Sequence, residues 1–286
     1  MKRREFIQAV MAFLFAGTEL FPASTFDAVE ATGENPYSLT KKALEAFGFN
    51  KYISRGDIVL VKPNIGWDRK PQQAANTNPD VIRAIVEETY NAGAKKVLVF
   101  DNPCNHPRRT YIRSGIAKAA SSAGAKVIFL RDSDLKQVNL KGEFIKNWKV
   151  YKQALEVDKI INVPIVKHHS LAKATLGMKN LMGLIGGNRG YLHRKINVAI
   201  VDLAEFFKPT LTVIDAYRVL TAHGPQGGNL KDVRLEKRLL VTTNIAGADV
   251  WGAKVLGLTE KDLPCIEEAV SRGLGSKALK IKRVKA

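Results

Sequence analysis

Apolar residues in this chain fall into short continuous runs divided by amphipathic stretches. Asp57-Ile-Val-Leu-Val61, Lys96-Val-Leu-Val-Phe100, Lys126-Val-Ile-Phe-Leu130, Lys159-Ile-Ile-Asn-Val163, Thr210-Leu-Thr-Val-Ile214 and Arg238-Leu-Leu-Val-Thr242 read as strands. Their uniformly apolar character is that of strands covered on both faces, as in a parallel sheet. Between them, Tyr37 to Phe47 places Leu39, Ala43 and Phe47 on one helical face. A second helix opens at Asn78-Pro79, because Asn suits an N-cap and Pro the first helical turn. Val81, Ile82, Ile85, Val86 and Tyr90 form its stripe, and Gly93 ends it. Ser114 to Ala123 gives a third helix, and others are expected at 170–184, 195–207, 245–256 and 262–272. Residues 131–158 are polar and match neither period, and no internal repeat is present. The expected class is α/β, a mostly parallel sheet with helices on both faces, built as one domain in two α/β halves of about 32–145 and 146–286.

The N-terminus changes where that domain is expected to begin. Arg3-Arg4-x-Phe6-Ile7 ahead of a short apolar stretch has the form of a twin-arginine export signal. Val29-Glu30-Ala31 offers a small-residue cleavage site, so the signal is expected over 1–31 and the protein in the periplasm or another extracytoplasmic space. Apart from an uncleaved signal acting as an anchor, no apolar run reaches the roughly 18 residues of a membrane span.

Composition adds one unusual property, a net charge of +18. The bases are spread along the chain, with one cluster at Lys277 to Lys285, and they read first as a solvated surface. Aromatic and basic residues are not interleaved as in a base-stacking platform, so nucleic acid is not an expected partner. The two cysteines, Cys104 and Cys265, are too few to hold an iron–sulfur cluster unaided and lack zinc-site spacing. Whether they pair with each other is open.

The candidate chemistry lies where the strands end. The first delivers Lys62-Pro63-Asn64, the second Asp101-Asn-Pro-Cys104-Asn-His106, and the fourth Pro164 and then Lys167-His168-His169. The fifth delivers Asp215, followed by His223 and Gly224-Pro-Gln-Gly-Gly228. In parallel α/β sheets ligands bind beyond the carboxyl ends of the strands, so these groups are expected along one edge. Ile161 to Arg194 is the densest stretch, carrying His168, His169 and His193 with Lys167, Lys173, Lys179, Arg189 and Arg194 among Gly and Asn. Such a set binds an anion or a metal. Lys62, Asn64, Lys167, Lys179, Asn180, His193 and Arg194 are the expected substrate-binding residues. His168, His169, Asp101 and Cys104 are the catalytic candidates, imidazole being able to act as acid, base or ligand near neutral pH. For a divalent metal the candidate ligands are His168, His169, His193 and Asp215. Gly183, Gly186, Gly187 and Gly190 resemble a phosphate-approach loop, but neither a dinucleotide nor a P-loop motif is present.

Taken in order, several of these segments resemble the DUF362 family. They are Val61-Lys-Pro-Asn64, Asn78-Pro-Asp-Val-Ile-Arg-Ala84, Ala92-Gly-Ala-Lys-Lys-Val97 with Asp101, Ile161-Asn-Val-Pro164, Lys167-His168, Met178-Lys-Asn-Leu181 with Gly183, His193-Arg194, Lys208-Pro-Thr-Leu-Thr-Val-Ile-Asp215 and Gly224-Pro-Gln-Gly-Gly228. The resemblance runs from about residue 55 to 275. It implies one α/β domain, in some members associated with iron–sulfur, ferredoxin-like modules. This chain has no such module, and it carries Asn102-Pro103-Cys104 where many members have Gly or Ser after the strand-end Asp. A looser similarity to nickel-pincer lactate racemases lies in the Lys-Pro-Asn and histidine loops.

Two functions follow as expectations. The first is an exported enzyme acting on a small anionic substrate, with a divalent metal or an organic cofactor. The second is a periplasmic ligand-binding or accessory protein serving a redox or ferredoxin-like partner. Loss of His168 should abolish turnover under the first and spare partner binding under the second.

Overall fold

The computed structural model describes residues 26–286, so the paired arginines of the expected signal lie outside the described residues. The chain alternates as anticipated through its first half. β1 (Ala28–Thr32) leads to α1 (Pro36–Phe47), β2 (Ile58–Pro63), α2 (Pro79–Asn91) and β3 (Lys96–Val99). Then come α3 (Pro107–Arg113), α4 (Ile116–Ser122), the two-residue β4 (Lys126–Val127) and a hairpin of β5 (Leu135–Asn139) with β6 (Asn147–Tyr151). A short α5 (Lys152–Leu155) precedes β7 (Lys159–Val163), β8 (Ile165–His169), β9 (Lys173–Thr175) and α6 (Gly177–Asn180). The chain closes with α7 (Ile196–Phe207), β10 (Leu211–Leu220), β11 (Val233–Thr242), α8 (Ile245–Val255), α9 (Pro264–Ser271) and β12 (Ile281–Lys285).

One ten-stranded sheet runs β12-β1-β11-β10-β7-β2-β3-β4, with β8 beside β10 and β9 beside β8. Only β11 and β9 oppose the common direction, so the sheet is mixed and mostly parallel. Alternate strand residues face opposite layers. Val59, Val61, Val97, Val99, Ile161 and Val163 pack under α1, α2 and α4, while Leu60, Leu98, Ile160, Ile214 and Leu240 pack under α7, α8 and α9. Each such buried branched side chain contributes roughly 1.5–3 kcal/mol relative to exposure. The α/β class with helices on both faces is therefore what the strand pattern implied.

The expected cleavage site falls in β1, where Val29 and Ala31 are fully buried and the strand is hydrogen-bonded on both sides, to β11 and β12. A cut after Ala31 would remove four of its residues from the sheet. The halves around residue 145 share one sheet, since β2 pairs with both β3 and β7. The strand expected over 126–130 shortens to β4, because it is the outer edge and pairs only with β3. The helix expected over 170–184 is replaced by a turn, β9 and two short helical turns. Long-range pairing overrides local propensity there. β10 outlasts β7, which stops at Pro164, and β8 takes up the same line beside it from Asp215 onward.

Among the described residues no helix is long and apolar enough to cross a membrane.

Candidate functional site

The carboxyl ends of β2 and β3 meet in a buried ion pair. Lys62 is fully buried, and its Nζ lies 2.9 Å from Asp101 Oδ1, donating also to Pro63 O and Asn180 Oδ1 at 2.8 and 3.1 Å. Burial pulls the Lys62 amine down while Asp101 pulls it up. The carboxylate is saturated from elsewhere too. Asn102 N donates to Oδ1 at 2.9 Å and Ile65 N to Oδ2 at 2.5 Å, and Tyr111 pins the Asp101 backbone from both sides. Gly183 covers the pair so closely that a Cβ there would lie 1.6 Å from Asp101 Oδ1 and 2.7 Å from Lys62 Nζ. Asn180 ties the pair to its surroundings, its Oδ1 accepting from Asn64 Nδ2 at 3.0 Å and its Nδ2 donating to Asn162 Oδ1 at 2.9 Å.

Above this pair opens a cavity of about 450 Å³. β8 forms one wall. A strand turns alternate side chains to opposite faces, so Lys167 and His169 look into the cavity and His168 does not. Lys167 Nζ donates to Asn64 Oδ1 at 3.0 Å and Ala75 O at 2.6 Å, both neutral acceptors. Burial lowers this amine to about 7, with Lys179 and Lys62 acting in the same sense and Cys104 and Asp101 against it. Lys179, from α6, is lowered by burial to about 8; Cys104 opposes the shift and Arg189 adds to it. Arg189 is held by carbonyls, with Nη1 2.8 Å from Asn102 O and Nη2 3.2 Å from Pro103 O. Among the described residues none of these three cations is paired with a carboxylate. The one acid on the cavity wall, Asp101, is already taken by Lys62.

The two histidines on the wall are less versatile than their type suggests. Leu171 N and Ala172 N both donate to His169 Nδ1 at 3.2 Å, which places the neutral ring's proton on Nε2. Burial and the surrounding cations hold this imidazole down to about 2, so it stays neutral. It offers the cavity an N–H donor, not a lone pair for a proton or a metal. His193 stacks on it with centroids 5.7 Å apart and is also lowered, by burial first and then by Lys179, with the backbone of Gly190 and Arg189 opposing.

The structure gathers Asn64, Asp101, Cys104, Lys167, His169, Lys179, Asn180 and His193 from the expected set onto one cavity. It moves four others. Lys62 is committed to Asp101 below the wall, and Asp101 braces a lysine and two backbone amides, not a histidine. His168 faces the other side of β8, where its Nδ1 accepts from Gly224 N at 3.1 Å and supports the 223–228 loop. Arg194 is exposed and lies over the Tyr191 ring at 5.2 Å; the arginine on the wall is Arg189. Asp215 is sealed in the core, raised by burial to about 6, and accepts from Asn78 N and Tyr217 N at 2.8 Å each, holding the start of α2. The sequence reading left out Asp249, which is likewise buried and raised to about 7, and which accepts from Gly177 N at 2.6 Å to anchor α6 and with it Lys179. Both cysteines are free, Cys104 exposed on the cavity rim and Cys265 buried.

These donors do not suit a divalent ion. His169 presents N–H, His168 and Asp215 face elsewhere, and among the described residues no three His, Cys, Asp or Glu side chains are grouped to hold one.

The family described as a domain of unknown function (DUF362) matches residues 59–254. The chain belongs to the DUF362 family. The DUF362 match runs from β2 into α8 and so contains every residue on the cavity wall, leaving β1, α1, α9 and β12 outside it. Within wider comparisons, a thylakoid-associated protein of Synechocystis sp. is 23% identical over 249 residues, covering 82% of this DUF362 chain and 74% of that protein. Among solved structures, the lactate racemase apoprotein from Thermoanaerobacterium thermosaccharolyticum aligns with a TM-score of 0.45 at 12% identity, over 82% of this chain and 58% of that one. A protein from Thermotoga maritima aligns with a TM-score of 0.39 at 13% identity, over 82% of this chain and 60% of that one. The chain thus spans less than two thirds of either solved chain.

Proposed function

We propose that this protein is an enzyme that binds a small anion in the cavity at the carboxyl ends of β2, β3 and β8 and exchanges a proton with it through Lys167. The observation that carries this reading is the uncompensated charge of Lys167, Lys179 and Arg189 on a wall whose single acid is already paired. An ammonium held away from water without a counter-ion costs several kcal/mol. A bound anion offsets that cost, and neutral acceptors such as Asn64 Oδ1 and Ala75 O do so only in part. Asn64 and Ala75 also aim the Lys167 amine, leaving its third substituent position for the ligand.

The proton assignment follows from the same groups. A catalytic acid or base works best with a pKa near the operating pH. Lys167 at about 7 meets that condition, whereas His169 at about 2 does not. An anion beside the amine favours the ammonium form, so in the complex Lys167 starts as donor and proton source. His169 Nε2–H adds a neutral hydrogen bond to the anion. The amides of Asn64 and Asn180 keep Lys62, Lys167 and the cavity floor in register.

Affinity for an anion such as inorganic phosphate should fall as pH rises through about 7 to 8, where free Lys167 and Lys179 lose their protons. Calorimetric titration from pH 6 to 9 would check this, together with net proton uptake on binding. A flat or rising affinity over that range would remove Lys167 from the site. His169→Gln keeps an N–H donor and should bind within about threefold of wild type. His169→Ala should lose about 0.5–1.5 kcal/mol, the worth of one neutral hydrogen bond. Equal losses in the two variants would mean that His169 acts otherwise than as a donor.

A further inference from the structure

The cavity holds its cations on different supports. Lys167 is tied through Asn64 and Ala75 to the loop that follows β2. Arg189 is tied through the carbonyls of Asn102 and Pro103 to the loop that follows β3. Lys179 rises from α6 and is within electrostatic reach of both, since Arg189 lowers its amine and it in turn lowers that of Lys167. The anchors of Lys167 and Arg189 are neutral oxygens, and Lys179 Nζ lies 3.7 Å from the neutral Met182 Sδ, so none of the three charges is cancelled where it stands. A single carboxylate would answer one of them and leave positive charge facing positive charge across the remaining space.

The space itself is larger than one such group needs. About 450 Å³ lies within the range of roughly 300–1,000 Å³ found for small-molecule pockets. Thr175 and Asn188 add a hydroxyl and an amide to its wall, beside apolar surface from Trp67, Met182 and Pro225. The hydroxyl and the amide can each meet a polar group on a ligand's body.

We propose that the natural ligand is a small dianion with two separate acidic groups, one received by Lys167 and the other by Arg189, with Lys179 shared between them. The chemical class is a short hydroxylated dicarboxylate or a phosphorylated hydroxy acid. This rests on the reading of the cavity as an anion site and narrows it. Two cations fixed against different loops can each receive one acidic group, whereas an isolated acid can satisfy either and gains nothing from the second.

Malate and lactate separate the two cases, because they share a hydroxy acid unit and differ by one carboxylate. Calorimetry on the full-length chain at pH 7 should show malate binding about tenfold to a hundredfold tighter than lactate, the worth of one added charge-assisted hydrogen bond. Arg189→Gln should shrink that ratio toward unity. Bound malate should also slow the alkylation of Cys104 by iodoacetamide, since Cys104 lies on the cavity rim, while buried Cys265 stays unreactive throughout. Equal affinity for malate and lactate, with both protecting Cys104, would overturn the dianion proposal and leave the anion site standing. Malate that binds without protecting Cys104 would overturn the proposal by placing the ligand elsewhere. No binding of malate, lactate or inorganic phosphate would bring down the anion site and the proposal together.

Discussion

Asp101→Asn should destabilise the fold by about 3–5 kcal/mol, the cost of leaving a buried charge without its partner. The substitution is nearly isosteric, so the loss is electrostatic and not one of packing. Lys62 would keep its place with only Pro63 O and Asn180 Oδ1 to face, under a glycine that admits no water-sized adjustment. The new amide cannot accept at both ends either, yet Ile65 N, Asn102 N and Lys62 Nζ all point donors at residue 101. Gly183→Ala should give a loss of similar size by a different route, because its Cβ would occupy the position of Asp101 Oδ1. Urea denaturation measures both. The double variant Lys62→Met/Asp101→Leu should recover a large part of the Asp101→Asn loss, since apolar pairs often replace buried ion pairs at little cost. An Asp101→Asn loss under 1 kcal/mol would show that the pair is not what organises this end of the sheet.

Lys167→Met should reduce affinity for inorganic phosphate or malate roughly 10- to 150-fold, the loss of a hydrogen bond from a charged donor. Methionine keeps the length of the side chain and removes its charge, so the cavity retains its shape. The same variant should change how stability varies with pH. The folded amine is lowered by burial to about 7, so above that pH the unfolded chain holds the extra proton up to the ordinary lysine range near 10.4. Stability therefore rises with pH across this window in the wild-type protein. The variant lacks that contribution, and the difference between the two should widen in favour of the wild type from pH 7 to 10. Thermal unfolding along a pH series reads it directly. A parallel pair of curves would mean that Lys167 titrates normally, and its assignment as the proton-exchanging group would fall with it.

Much of this arrangement is legible in the sequence, for identifiable reasons. β7 coincides with the apolar run 159–163, and α2 starts at the expected cap because Asn78 accepts from Asp80 N. Strand ends mark the site because a parallel sheet has one edge where its loops collect, and that rule needs no knowledge of contacts. The orientation of individual side chains is a different matter. His168 and His169 are neighbours in sequence with the same chemistry, and only the pairing of β8 with β10 decides which of them faces the ligand. Arg189 and Arg194 are likewise separated by carbonyl geometry supplied from the β3 loop. Asp215 and Asp249 carry no local mark that distinguishes an anchor from a catalyst, since both owe their role to distant backbone amides. The alternation of Lys167 and His169 was itself a strand signal, hidden by the polar character of that face.

The pairing of β1 with β12 places Ala28 opposite Ile281. β1 is an inner strand, with Val29 and Ala31 buried, and its outer neighbour is β12, the last strand among the described residues. On a ribosome, therefore, β1 lacks its outer neighbour until residues 281–285 have been made. Until then β1 has a bare hydrogen-bonding edge, the kind of template on which chains join one another. Contacts of such long sequence separation also slow folding. The order of synthesis thus sets the order of assembly, with β2, β3 and β7 able to pair first and β12 closing against β1 last.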